Sequence, residues 1–261
     1  MFNLVSMKIY KTILLAMCAV CISLVSCDKD DDNGGTPNGS ETYLPKKIYG
    51  TAADGVEWSA EFEYDNQNRL TKATFPHKEY IMDISYPAGK VCVIKYVDTK
   101  NGEAYRIREA EISGNLLSIT ATDLDFPSDL GTWTYTVENG KIEYDHNAKE
   151  VYNYDASGNL VKRTAYNWNL TFKYDNKKGI FSNINTPAWL LWDLDVDYIW
   201  EGLFFVCNNL TEYDHSSEEK GEHSSRYEYN YNNDGYPVSF KYNHTWNGEE
   251  EPEMTVYVEY N

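Results

Sequence analysis

The chain has 261 residues and a formal net charge of −18, an acidity that repels phosphate backbones and anionic bilayer surfaces and so argues against nucleic acid as a partner. Aromatic residues make up 15% of it and Tyr alone accounts for 23. Aromatic side chains fit a pleated, half-buried surface, so the composition points to an all-β protein, and the length to one domain.

The first segment carries Lys8 and Lys11, followed by an apolar run from Ile13 to Val25. That run is about 13 residues, short of the roughly 20 that a membrane-spanning helix needs. Basic, apolar, then small is the order of a removable signal peptide, residues 1–26, with Met1 or Met7 as its start. Five cysteines are present; Cys18 and Cys21 lie inside the signal, Cys27 directly follows it, and Cys92 and Cys207 belong to the folded part. The last two can form one disulfide in an oxidising compartment or stay as two buried thiols.

The tetrapeptide Leu24-Val25-Ser26-Cys27 resembles the lipobox of bacterial lipoproteins, which implies that Cys27 becomes the acylated first residue of the mature chain. Asp28-Lys29-Asp30-Asp31-Asp32 resembles the acidic export tag of Bacteroidetes lipoproteins, which implies display on the outer face of the outer membrane. Read from composition alone, residues 27–40 form an acidic flexible tether. The Asp28, Asp30, Asp32 spacing is not a calcium loop, because no Glu stands at its twelfth position. Attachment to the membrane then comes through the acyl chains.

From residue 41 to 261 the chain alternates. Trp58, Ala60, Phe62 and Tyr64 fall on one face with Glu61 and Glu63 opposite, and the same period recurs at Trp133/Tyr135/Val137, Tyr227/Tyr229/Tyr231 and Met254/Val256/Val258/Tyr260. Between such runs stand hairpin signals, among them Asp54-Gly55, Asn101-Gly102, Asn139-Gly140, Gly158-Asn159, Asp234-Gly235 and Asn247-Gly248. Strands this closely spaced leave no room for crossover helices. The prediction is an antiparallel meander of many hairpins, curved or closed into a barrel-like sheet.

A degenerate repeat runs through it: Tyr64-Asp65-Asn66-Gln67-Asn68-Arg69-Leu70, Tyr154-Asp155-Ala156-Ser157-Gly158-Asn159-Leu160, Tyr174-Asp175-Asn176-Lys177-Lys178-Gly179-Ile180 and Tyr231-Asn232-Asn233-Asp234-Gly235-Tyr236. These resemble the YD repeats of RHS-type proteins. Behind a lipobox, the arrangement is similar to a Bacteroidetes surface lipoprotein family of unknown function, the DUF4595 type. The resemblance covers residues 43–261 and implies a porin-like β fold and no activity.

One stretch, about 183–207, breaks the alternation. Thr186 as cap, Pro187 at the first helical position and apolar residues at 188, 191, 192, 199 and 203 are compatible with one or two short helices. Trp189, Trp192, Trp200, Phe204 and Phe205 either plug one end of the sheet or form a ligand platform. Asp193, Asp195 and Asp197 share a face if extended, where they could hold a cation or a sugar, and otherwise form a solvated edge.

Hydrolase elbows, zinc-protease helices, phosphate loops and Cys-x-x-Cys pairs are missing from the mature chain. No cofactor and no metal site is predicted, and the spacing of His215 and His223 reads as chance loop composition rather than zinc. The candidate ligand-binding residues are Trp189, Trp192, Trp200, Asp193, Asp195 and Asp197. The leading expectation is a non-catalytic binding or scaffold lipoprotein for carbohydrate or an outer-membrane partner. The alternatives are a glycan hydrolase with paired carboxylates and a barrel enclosing an apolar ligand.

Overall fold

The computed structural model describes residues 42–52, 55–124, 131–194, 202–217, 221–250 and 252–261; the signal, Cys27 and the tether lie outside them. The strands are β1 (Pro45–Thr51), β2 (Glu57–Tyr64), β3 (Leu70–Phe75), β4 (Tyr80–Ser85), β5 (Cys92–Asp98), β6 (Ala104–Ser113), β7 (Leu116–Asp123), β8 (Gly131–Glu138) and β9 (Lys141–Asp145). The chain continues with β10 (Glu150–Tyr154), β11 (Leu160–Ala165), β12 (Trp168–Tyr174), β13 (Leu210–Ser217), β14 (Gly221–Tyr231), β15 (Pro237–Trp246), β16 (Glu249–Glu250) and β17 (Met254–Tyr260). Each pairs antiparallel with its neighbours in sequence, and β17 pairs with both β15 and β1. The result is a closed ring of sixteen strands, with the two-residue β16 hung on the end of β15. Closure leaves no unpaired edge along the ring.

Glycine and asparagine supply the left-handed turns that the hairpins require. Asn139-Gly140 and Asn247-Gly248 both have φ positive at both residues, the requirement of the turn whose twist matches the flanking strands.

The two faces of the wall are chemically opposite. One cross-strand row runs Phe62, Ala73, Met82, Tyr96 and points inward; the next runs Glu63, Lys72, Asp83, Lys95 and points to water. Lys47 pairs with Glu61 at 3.0 Å and Lys72 with Glu63 at 3.4 Å on that outer surface. A barrel that spans a bilayer wears its apolar band outside. On these strands the polarity is reversed, with the charged side chains outside and the apolar ones inside.

Adjacent hairpin ends alternate between two ends of the barrel. At the near end Pro45 enters and Tyr260 leaves, and here the Tyr-Asp repeats have their physical meaning. Tyr64, Tyr86, Tyr154, Tyr174, Tyr229 and Tyr260 each donate a hydroxyl hydrogen bond, 2.6–2.9 Å long, to the carbonyl of a residue at or beside the start of a nearby strand. The acid that follows turns the chain: Asp65 Oδ1 accepts from the N–H of Gln67 and Arg69, and Asp155 Oδ1 from that of Asn159. Asn232 substitutes for Asp in the last copy, accepting from the N–H of Asp234 and Tyr236. The repeats that begin at Tyr64, Tyr154 and Tyr174 are thus a tyrosine clasp plus a side-chain-closed turn, whereas in the last copy Tyr231 donates to Asp175 Oδ2.

The stretch between β12 and β13 folds into the ring at this end as two short 3-10 helices, Ala188–Asp193 and Gly202–Phe205. Trp189, Leu190, Leu191, Leu194, Phe204 and Phe205 are buried in the common core. Phe204 lies 4.6 Å from Phe172 and Phe205 6.0 Å from Phe240, ring centre to ring centre. The insert is a plug in this half of the lumen. Thr186 does not cap its helix; Pro187 precedes the first turn with no side-chain cap, and Thr186 Oγ1 instead accepts from the Leu70 N–H at 2.7 Å, stitching the plug to β3. Asn183 Nδ2 reaches Tyr236 Oη at 2.7 Å and the Tyr43 carbonyl at 3.0 Å. Cys92 is fully buried and does not pair with Cys207.

Gly179 lets the two arms of the plug close: a Cβ there would stand 2.3 Å from the Phe205 carbonyl oxygen. Gly179→Ala should therefore cost about 3 kcal/mol, the upper end for overpacking, read as a lowered urea midpoint. The clasp makes a pH prediction. Burial pushes the Tyr86 hydroxyl to about 12 and raises those of Tyr64, Tyr154, Tyr229 and Tyr260. An unfolded tyrosine ionises near pH 10 while the clasped one keeps its proton, so stability holds below about pH 10 and falls as the pH climbs toward 12. Circular dichroism and tyrosinate absorbance should change together in that window.

Candidate functional site

Away from the plug the lumen changes character. In the far half the inward positions of β8–β15 hold Tyr135, Asp145, Glu150, Arg163, Trp168, His215 and His223, brought side by side by the register: Tyr135 opposite Asp145, Asp145 opposite Glu150, Tyr152 opposite Arg163, and His215 opposite His223. Across the lumen, Arg106 and Arg108 of β6 also point inward, Arg106 meeting Asp123 at 3.4 Å and Arg108 lying 5.4 Å from the Tyr96 ring centre. Three of the five arginines of this acidic chain face the interior.

The densest part of this lining is a corner between β10, β11, β12 and the plug. Glu150 is buried, and its Oε2 accepts from Arg163 Nε at 2.6 Å and from the Tyr152 hydroxyl at 2.9 Å. The Arg163 guanidinium lies 5.3 Å from the Tyr152 ring centre, 5.5 Å from that of Trp168 and 5.9 Å from that of Trp192. Trp192 stacks on Tyr152 at 5.4 Å with planes 21° apart, and meets Tyr135 edge-on at 6.1 Å. An ion pair is thus held in an aromatic box, where cation–π attraction adds to the charge-assisted bond. Burial pushes the Tyr152 hydroxyl far above its usual value, with Arg163 opposing and Glu150 reinforcing the shift. Trp192 Nε1 is buried and has no hydrogen-bond acceptor among the described residues. Trp192, Trp168 and Arg163 remain half-buried, so solvent reaches the box.

The aromatic lining continues past Trp168, through His215 at 6.3 Å and His223 at 5.2 Å, to Trp246 and His244. His215 and His223 are not loop residues: they face each other on β13 and β14. His244 Nδ1 shares a 3.0 Å hydrogen bond with Ser225 Oγ. Among the described residues no group of His, Cys, Asp or Glu is arranged to hold a metal. Around this end Val56, Leu124, Trp133, Tyr166 and Trp246 are exposed.

The six residues singled out from the sequence separate. Trp189 is packed in the core, Trp192 stands in the box, and Asp193 is the last residue of the first 3-10 helix. Trp200, Asp195 and Asp197 lie outside the described residues. Sequence reasoning missed Glu150, Tyr152, Arg163 and Trp168. Their signal was an alternating strand, Glu150-Val151-Tyr152-Asn153-Tyr154, with an acid in the inward phase.

No family model and no curated protein matches the chain. Among solved structures it is similar to a porin-like protein from Bacteroides uniformis ATCC 8492, at 13% identity and a TM-score of 0.47, over 87% of this chain and 99% of that one. It is also similar to a porin-like protein from Bacteroides vulgatus ATCC 8482, at 11% identity and a TM-score of 0.39, over 84% and 99%.

The Arg163–Glu150 pair should behave as a coupled unit. Arg163→Leu leaves a buried carboxylate with Tyr152 alone and should cost about 2 kcal/mol. Glu150→Gln in the same chain should recover part of that loss, since the stranded charge is gone. Urea melts of both single variants and the double close the cycle.

Proposed function

We propose that the protein is a lipid-anchored outer-membrane surface protein of the DUF4595 type, tethered through Cys27 and non-catalytic, which binds a carbohydrate or an outer-membrane partner in the far end of its barrel. One observation supports this best. The chain arrives from its N-terminal side at the plugged near end, so an anchor at Cys27 would hold that end toward the bilayer and turn the polar, aromatic far end outward. The polar outer wall fits a barrel held beside a membrane rather than within it. Half-buried Trp and Tyr next to convergent charged groups is the composition of a ligand site.

A hydrolase reading has one observation in its favour, the adjacent inward carboxylates Asp145 and Glu150. Both are already engaged: Asp145 Oδ1 accepts from the N–H of Asn147 and Ala148, and Glu150 Oε2 from Arg163 and Tyr152. Binding without turnover is the better fit.

The test is to express the full chain in a Bacteroidetes host with labelled palmitate and to shave intact cells with protease. The expected result is a labelled, outer-membrane, protease-accessible protein, and Cys27→Ala should abolish label and membrane association together. Label that survives Cys27→Ala, or protection from protease until the cells are broken, would overturn anchoring or display respectively. Incubation of the purified protein with polysaccharides should release no reducing sugar; release would favour the hydrolase.

A further inference from the structure

We propose that the outer wall over the closing seam, where β17 meets β1, is a platform for a neutral saccharide, which extends the carbohydrate reading above to a surface outside the lumen. Tyr49 and Tyr257 stand directly opposite each other in the β1–β17 register, both in the outward phase. Their ring centres are 5.4 Å apart and their planes 24° from parallel. Tyr257 is 46% exposed, on a wall whose nearby outward positions carry the Lys47–Glu61 and Lys72–Glu63 ion pairs. Its other cross-strand neighbour is Ser239 of β15, too short to cover a tyrosine ring. Beside the pair, toward the near end, the wall sinks into a groove of about 360 Å³ lined by Lys46, Lys47, Glu61, Glu63, Thr74 and Glu259. Lys47 joins the two features: it lines the groove, and its Nζ lies 5.7 Å from the Tyr49 ring centre.

A cross-strand aromatic pair strengthens a sheet whether or not it binds anything, but that role calls for no open ring and no adjoining groove. The charges in the groove decide the guest. Lys47 is engaged by Glu61 at 3.0 Å and Glu63 by Lys72 at 3.4 Å. The groups left over are the exposed Lys46 and Glu259, neither of them ion-paired among the described residues. One donates, the other accepts, and their charges cancel. A hydroxyl group both donates and accepts, so neighbouring hydroxyls of one sugar ring serve both while its C–H face lies on Tyr257. An apolar guest would desolvate both charges without pairing them. An anion would be repelled by the unpaired Glu259 and by the acidity of the whole chain, net −18. The volume falls within the roughly 300–1,000 Å³ of small-molecule sites, and Lys46, Glu259 and Tyr257 are all open to solvent.

The experiment is affinity electrophoresis of the intact protein through gels containing starch, xylan, galactomannan or mixed-linkage β-glucan, with polygalacturonate as the anionic comparison. Tyr257→Thr removes the platform and keeps a strand former. Lys46→Gln and Glu259→Gln change exposed groups that the seam does not pack on, and they carry the test if Tyr257→Thr loosens the barrel. Trp168→Leu probes the lumen instead. Near-UV circular dichroism establishes that each variant is folded. The expected result is retardation by at least one neutral polysaccharide, weakened about tenfold in Tyr257→Thr and about threefold in each groove variant. Neutral-glycan retardation that the three seam variants leave unchanged overturns the platform, and its loss in Trp168→Leu alone then keeps the far-end reading. Loss in the seam variants with none in Trp168→Leu supports the platform and takes the glycan out of the lumen. Retardation by polygalacturonate alone overturns the neutral class. No retardation by any polysaccharide overturns the platform and leaves the tyrosine pair as a contact of the seam.

Discussion

A closed ring of sixteen strands encloses more space than its own inward side chains can fill, and everything else in this molecule answers that constraint. Barrels of this size that span bilayers leave the space to water. This one divides it. One half is filled by large aromatic residues and by a folded-in segment whose Leu190, Leu191 and Leu194 are fully buried; the other half keeps polar and aromatic walls. A lumen lined by apolar residues and left empty would lose contact energy on every side. The plug is what allows an apolar interior and a polar exterior to coexist at this diameter.

Closing the ring also demands that strand ends be held in place. The six tyrosine clasps at the near end act there, each using one side chain to fill lumen and satisfy a carbonyl at once. Burying a tyrosine is favourable only if its hydroxyl finds a partner. The strand-start carbonyls provide that partner six times. The side-chain-closed Asp and Asn turns then reverse the chain with no extra residues to pack, which explains why the copies of the repeat resemble one another without being evenly spaced.

The polarity along the barrel axis connects fold to function. With the near end clasped and plugged, a buried ion pair and an indole donor with no acceptor among the described residues lie where the plug faces the far half. Buried ion pairs are poor sources of stability, and an unsatisfied donor is a cost. They meet where Trp192 of the plug lies against the half-buried Arg163 and Trp168.

The sequence by itself determined the all-β class, the sequential antiparallel pairing and the outward acidity, because a period of two needs no knowledge of neighbours. Trp58/Phe62 against Glu61/Glu63 specifies one dry and one wet face wherever the strand lies, and Asn139-Gly140 specifies a hairpin by local φ alone. It also marked residues 183–207 as foreign to the sheet. Closure, and the division of the lumen, were decided only in three dimensions: β17 meets β1 through pairings some two hundred residues apart. Thr186 looked like a helix cap, since a local rule cannot see that Leu70 lies within reach. Likewise Glu150, Arg163, Trp168 and Trp192 come from three strands and the plug, and each alone reads as ordinary strand or core chemistry. Their meeting is set by barrel register and by the depth to which the insert enters, and neither is written in the spacing of any one segment.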